Sequence, residues 1–244
     1  MRHHEIDQYA RQSPLCNFDP RVKIASTVIF TISVALLREI TPLIISLLFL
    51  LLIVIASRVP LIHIVKSYAI AFPFAVFASL TMWYSSGPEE ATAMFLRITD
   101  SVLALIILVS TTPFFEFLKA LRWFKVPAII ISLLLFTYRF IFVFIDELER
   151  MKLAREARGF NGGKSLLNVE ALRTIAYTAG MILVRSHNRA NNIYSALLSR
   201  GYTGEVRTLS RLRIRPRDAI FAAAFIGMSL MSLFIQAGVI IWTL

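Results

Sequence analysis

Cysteine occurs once in this chain of 244 residues, at Cys16. A single thiol closes no internal disulfide, and without Cys or His neighbours at ligand spacing it supports no zinc site. Acidic side chains are also scarce, 15 against 26 lysines and arginines, which leaves a formal net charge of +11. No Ser/His/Asp, Cys/His or paired-carboxylate arrangement emerges, so the chain is read as non-enzymatic, with no cofactor or metal of its own. Strand patterns, internal repeats and low-complexity tracts are missing. Nothing marks a boundary between two independently folding domains, and the opening Met-Arg-His-His-Glu has no signal-peptide pattern.

What fills the chain is apolar sequence. A hydrophobic fraction of 57% and a mean hydropathy of +0.69 exceed what one soluble core of this size requires, which makes it an all-α polytopic membrane protein. In that setting an excess of Lys and Arg reports inner-face loops beside anionic lipid rather than a nucleic-acid partner.

Six apolar runs are visible: Ile24 to Leu37, Leu43 to Ser57, Ser67 to Tyr84, Ile98 to Thr112, Val126 to Ile145, and Ala219 to the C-terminus. The first two are short against the roughly 20 residues that cross a bilayer, so their ends borrow flanking residues. The connections 38–42 and 85–90 hold turn residues and little positive charge, whereas Arg58, His63, Lys66 and Lys119, Arg122, Lys125 make basic connections. The alternation places the N-terminus inside.

The fifth run breaks this alternation. If Val126 to Ile145 spanned, the basic residues from Arg150 to Arg217 would lie outside, and Arg139 would sit near mid-bilayer at a cost of about 2.5–3.5 kcal/mol. Pro127 to Arg158 therefore reads as one continuous helix, roughly 48 Å long at 1.5 Å per residue, lying along the inner interface or against neighbouring helices. Leu167 to Leu198 reads as a second long amphipathic helix, joined to the first by the turn Phe160-Asn161-Gly162-Gly163. Asp19-Pro20, Thr112-Pro113 and Arg215-Pro216-Arg217-Asp218 read as element starts. The expected organisation is about five transmembrane helices: an N-terminal membrane portion (1–112), a cytoplasmic coupling region (113–216) and a last membrane helix (217–244), integrated as one unit.

Both long helices end in the same small device, Ala157-Arg158-Gly159 and Ser199-Arg200-Gly201. A glycine just past a helix takes the left-handed conformation that closes the last turn, and the arginine before it sits where the helix dipole favours a cation. One such ending is an ordinary cap. Two, each followed by an aromatic (Phe160, Tyr202), present paired guanidinium forks suited to acidic grooves on a partner.

These residues, with Ile6-Asp7-Gln8-Tyr9, Ser13-Pro14-Leu15, Asp19-Pro20-Arg21-Val22-Lys23 and the flanks Ala154-Arg155-Glu156 and Ala196-Leu197-Leu198, resemble the transmembrane T component of energy-coupling factor transporters, close to the cobalt/nickel branch. The family's second motif reads Ala-Arg-Gly; here it is Ser-Arg-Gly, which keeps a small residue. The resemblance implies four membrane helices, a cytoplasmic coupling region and a final membrane helix in the cell membrane. It also implies docking of Ala157, Arg158, Gly159, Ser199, Arg200 and Gly201 onto two cytoplasmic ABC-type ATPase subunits. A separate small membrane subunit is then expected to hold the substrate, a metal ion (cobalt or nickel) or a vitamin.

Other features carry less. Gly162-Gly163-Lys164-Ser165 imitates a phosphate loop, but Arg158 stands where its first glycine belongs and no strand precedes it. His3, His4 and Glu5 read as a solvated terminus, and Glu89 and Glu90 as an outer turn. Asp100, with Arg139, supports the rival reading of a stand-alone six-span secondary transporter.

Overall fold

The computed structural model describes residues 13–159, 169–202 and 215–238. The terminal His pair, Ile6-Asp7-Gln8-Tyr9, Phe160, the Gly162-Gly163-Lys164-Ser165 sequence and Arg207, Arg211 and Arg213 lie outside them. Among the described residues, a short 3-10 turn (Pro14–Asn17) precedes eight α-helices and no strand occurs. The helices are α1 (Pro20–Leu36), α2 (Ile40–Ser57), α3 (Leu61–Ser86), α4 (Pro88–Thr111), α5 (Phe114–Trp123), α6 (Ala128–Glu156), α7 (Val169–Ser199) and α8 (Pro216–Gln236). Five of these, α2, α3, α4, α6 and α8, are long and apolar enough to cross a membrane. Their number matches expectation while their membership differs. Helix α1 has 17 residues, about 26 Å of rise, whereas α6, assigned by charge to the inner interface, has the length and composition of a span.

The chain divides into two compact units, Met1–Phe124 with Ser210–Leu244, and Lys125–Leu209. The first is organised around α1, which packs against α4, α5 and α8. Asp19 caps α1, its carboxylate accepting the Arg21 N–H at 2.9 Å, and Pro20 fills the first helical position, where a missing N–H costs nothing. The buried Asp218 carboxylate accepts the Arg215 N–H at 2.6 Å and the Asp19 N–H at 2.9 Å, so one side chain satisfies the starts of both α8 and α1. Beside it Lys23, almost wholly buried, donates to the Thr111 carbonyl at the end of α4 (3.1 Å). Arg21 lies over the Trp123 ring at 5.7 Å, tying in the end of α5.

The far end of α1 is closed from the same neighbours. Gln236 of α8 accepts the Arg38 N–H at 3.0 Å and donates to the Leu36 carbonyl at 3.4 Å, and Arg97 of α4 donates to the Leu37 carbonyl. These contacts serve carbonyls and N–H groups that a helix end leaves without intrahelical partners. Between the ends, Phe30, Phe49 and Phe225 meet edge-on or tilted at 5.4–6.1 Å. The buried serines Ser26, Ser33, Ser229 and Ser232 bond back to carbonyls of their own helices, which lets helices approach closely without orphan hydroxyls.

Two sequence expectations need correction here. Thr112 does not cap the helix that follows it: Pro113 occupies the N-cap position, and the buried Thr112 hydroxyl has no hydrogen-bond partner. His63 and Lys66 lie within the first turns of α3 rather than in a connection. Helix α3 continues through Pro73 and packs on α4, where Tyr68 and Thr99 share a hydrogen bond of 2.8 Å and Phe72 meets Phe95.

Candidate functional site

The second unit consists chiefly of α6 and α7. Helix α6 is unbroken over 29 residues, about 44 Å, as the sequence led us to expect for 127–158. Its direction relative to α7 follows from side-chain pairs: Arg185 bonds and ion-pairs with Glu147, Arg155 donates to Thr178, and Phe136 and Phe140 face Ile193 and Leu197 across a groove. As numbers rise along α6 they fall along α7, so the helices run antiparallel. Glu147 is mostly covered, with its side chain 19% exposed, so its pairing with Arg185 holds the register.

Antiparallel pairing separates the two Arg-Gly endings. Arg158 lies one turn beyond the Arg155–Thr178 contact, while Arg200 follows the last residue of α7. The 22 positions from Thr178 to Arg200 span about 33 Å of helix. The endings therefore occupy opposite ends of the pair.

Each ending has the backbone that its glycine permits. Gly159 has φ 83° and Gly201 φ 75°, the left-handed region that favours glycine. At the second, the Gly201 N–H bonds the Leu198 carbonyl (2.9 Å) and the Tyr202 N–H the Leu197 carbonyl (3.0 Å), a complete Schellman closure. At the first, the Arg158 N–H bonds the Arg155 carbonyl and the Gly159 N–H the Glu156 carbonyl, both at 3.0 Å. Ala157, Arg158, Gly159, Ser199, Arg200 and Gly201 are all exposed. Among the described residues neither the Arg158 nor the Arg200 guanidinium has a hydrogen-bond or ion-pair partner. A cation at a helix C-terminus is stabilised by the dipole behind it and keeps its donors for a partner.

Asp100 behaves otherwise. It is fully buried and accepts a hydrogen bond from Ser46 of α2, which makes it an interhelical tie in the first unit, whereas Arg139 belongs to the second. Among the described residues no group of three or more His, Cys, Asp or Glu could hold a metal ion. Sequence reasoning passed over Glu147 and the part that Arg155 and Arg185 play in fixing the pair, and Phe136, Phe140 and Phe144, which line its groove. The spacing of four between successive phenylalanines was the available signal for the groove.

These features define a class: an all-α, multi-pass membrane protein carrying a basic antiparallel helix pair with a guanidinium at each end. The chain belongs to the CbiQ family, whose model, described as cobalt transport protein, matches residues 11–210. It is 31% identical to the cobalt transport protein CbiQ of Rhodobacter capsulatus over 64% of this chain and 60% of that one. Two energy-coupling factor transporter transmembrane proteins EcfT are similar as well. That of Lactobacillus helveticus is 28% identical over 85% of this chain and 84% of its own length, and that of Bacillus selenitireducens 27% identical over 91% and 92%. The chain thus stands among the transmembrane components of cobalt and energy-coupling factor transporters.

Proposed function

We propose that this chain is the non-catalytic coupling subunit of an ATP-driven importer in the cell membrane. Residues 1–112 and 217–244 form its membrane portion, and residues 113–216 face the cytoplasm. Arg158 and Arg200 dock into acidic grooves on two ABC-type ATPase subunits, with Ala157, Gly159, Ser199 and Gly201 shaping the tips. The apolar faces of α6 and α7 pack on a separate small membrane subunit that holds the substrate, cobalt or nickel ion or a vitamin. The observation that carries this reading is the pair of exposed guanidinium tips, without a partner among the described residues, at opposite ends of one antiparallel helix pair. Two tips so placed suit two like partners, and a change in the spacing of those partners would reorient the pair as ATP binds and is hydrolysed.

Co-purification tests it. The tagged chain should bring down two ATPase subunits and one small membrane protein, and the double variant R158E/R200E should lose the ATPases while keeping the membrane partner. Losing one desolvated interface charge pair costs about 2–5 kcal/mol. If the double variant retains both ATPases and normal uptake, the endings are helix caps only.

A further inference from the structure

Helix α5 has 10 residues, about 15 Å of rise, and is too short to cross a bilayer. Its placement follows from what holds its two ends. It begins three positions after Thr111, the last residue of α4, whose carbonyl accepts from Lys23 of α1 at 3.1 Å. At its other end, Trp123 has the Arg21 guanidinium 5.7 Å from its ring. Arg21 and Lys23 both stand in the first turn of α1, about 3 Å apart along the axis. Both ends of α5 therefore meet α1 at one level, and the helix lies across the end of the first unit rather than continuing α4. Leu118 and Ala120 are buried against that unit. The outward face is unlike one meant for water. Phe115, Lys119, Arg122 and Trp123 recur at i, i+4, i+7 and i+8, one stripe of a helix. Phe115 is 41% exposed, Trp123 55%, and Phe124 at the C-cap 42%.

We propose that α5 is an interfacial helix, seated crosswise in the headgroup layer at the end of α4, with Phe115, Trp123 and Phe124 turned to lipid and Lys119 and Arg122 reaching back to water along their stems. The partner is set by position as well as chemistry. Three steps of chain reach at most about 11 Å, so a helix that leaves the end of a span starts within or beside the polar layer, about 5–7 Å deep on each side of the hydrocarbon. An indole joins an apolar body to a polar N–H and is stabilised at that boundary, and long cations bury their stems there while the charge stays wet. A short helix with aromatics and bases on one stripe thus fits the plane of the interface itself, whatever the lipid species. The proposal rests on the reading above only in that α4 crosses the bilayer.

Tryptophan depth tests it in the full chain. Of three tryptophans, W83F/W242F leaves Trp123 alone. In vesicles of phosphatidylcholine brominated near the headgroup, at mid-chain or near the chain end, Trp123 should lose most emission to the shallow bromines and least to the deepest, and should be shielded from acrylamide in the water. Adding F115D/F124D, which sets two carboxylates on the outward face, should shrink the loss to shallow bromines and raise quenching by acrylamide. Emission equal in all vesicles and open to acrylamide would overturn the proposal. So would the strongest loss to the deepest bromines, which would put α5 in the acyl core, or an unchanged pattern in F115D/F124D. If the ring is open to acrylamide in the chain alone and is shielded only when the ATPases or the small membrane protein are added, the face belongs to that protein, and the proposal fails while the coupling function stands. Loss of the ATPases from R158E/R200E is read separately, so the two proposals fail by different results.

Discussion

The carboxylate of Asp218 accepts the backbone N–H of Asp19 at 2.9 Å, joining the first turn of the last helix to the cap of the first across 199 positions of sequence. Its other oxygen serves Arg215. D218A strands two N–H groups, each worth about 1–3 kcal/mol where buried. Thermal unfolding in detergent should show a large fall in midpoint. D218N, which keeps one accepting oxygen but turns an N–H toward the second donor, should fall between. An unchanged midpoint in D218A would remove this contact from the account of how α1 and α8 are held.

At the tips, Gly201→Ala should destabilise by about 1–2 kcal/mol through backbone strain alone, because φ is 75° and nothing lies within 4 Å of an added Cβ. Asn, which tolerates the left-handed region, should cost less than Ala. Val should cost more. Binding of the ATPases should follow the same order, and a scrambled order would mean that the glycine does not set the direction of Arg200.

Lysine at positions 158 and 200 separates charge from shape. R158K/R200K keeps both cations and loses both planar forks, so ATPase retention and uptake should be intermediate between wild type and the double glutamate variant. Full activity would show that charge alone suffices.

Asp100→Asn decides against the secondary-transporter reading. The amide can still accept from Ser46, so folding and uptake by the whole complex should persist, while D100L, which removes the acceptor, should lower the unfolding midpoint. Loss of uptake in D100N with the complex intact would revive a membrane-embedded site there.

Orientation is checked with single cysteines in a chain lacking Cys16. A cysteine at the exposed Ser85 should react with an impermeant reagent in intact cells, and one at the exposed Ser195 only in inverted vesicles. Outside labelling at Ser195 would mean that α6 crosses the bilayer.

Local chemistry made much of the fold legible. Asp19-Pro20 reads as a cap followed by a proline because both act within one turn, and the glycines at 159 and 201 read as helix closures because few other residues accept a positive φ. The continuity of α6 followed from an apolar run passing without a breaker into a charged one. Long-range matters stayed hidden. Nothing near Asp218 in sequence says that its second acceptor faces Asp19, and nothing near Thr112 says that the turn hands the cap position to Pro113. The antiparallel register of α6 and α7 depends on Glu147 meeting Arg185, a choice among many acid–base pairs that periodicity cannot rank. The groove was invisible for the same reason: one wall is a pattern, but two walls need the register.

That register also sets a valency. On the proposed reading, with more than about 33 Å of helix between its tips, the pair offers two weak handholds on one stiff bar. Once the first is engaged, the second meets its partner at high effective concentration, provided the partner sites lie at a matching distance. Each contact can then be loose enough to pivot during a transport cycle while the assembly as a whole stays together. If the tips dock as proposed, discrimination falls on the distance between receptors as much as on the chemistry of either one, so a lone ATPase, however well its groove fits a guanidinium, would be held only briefly.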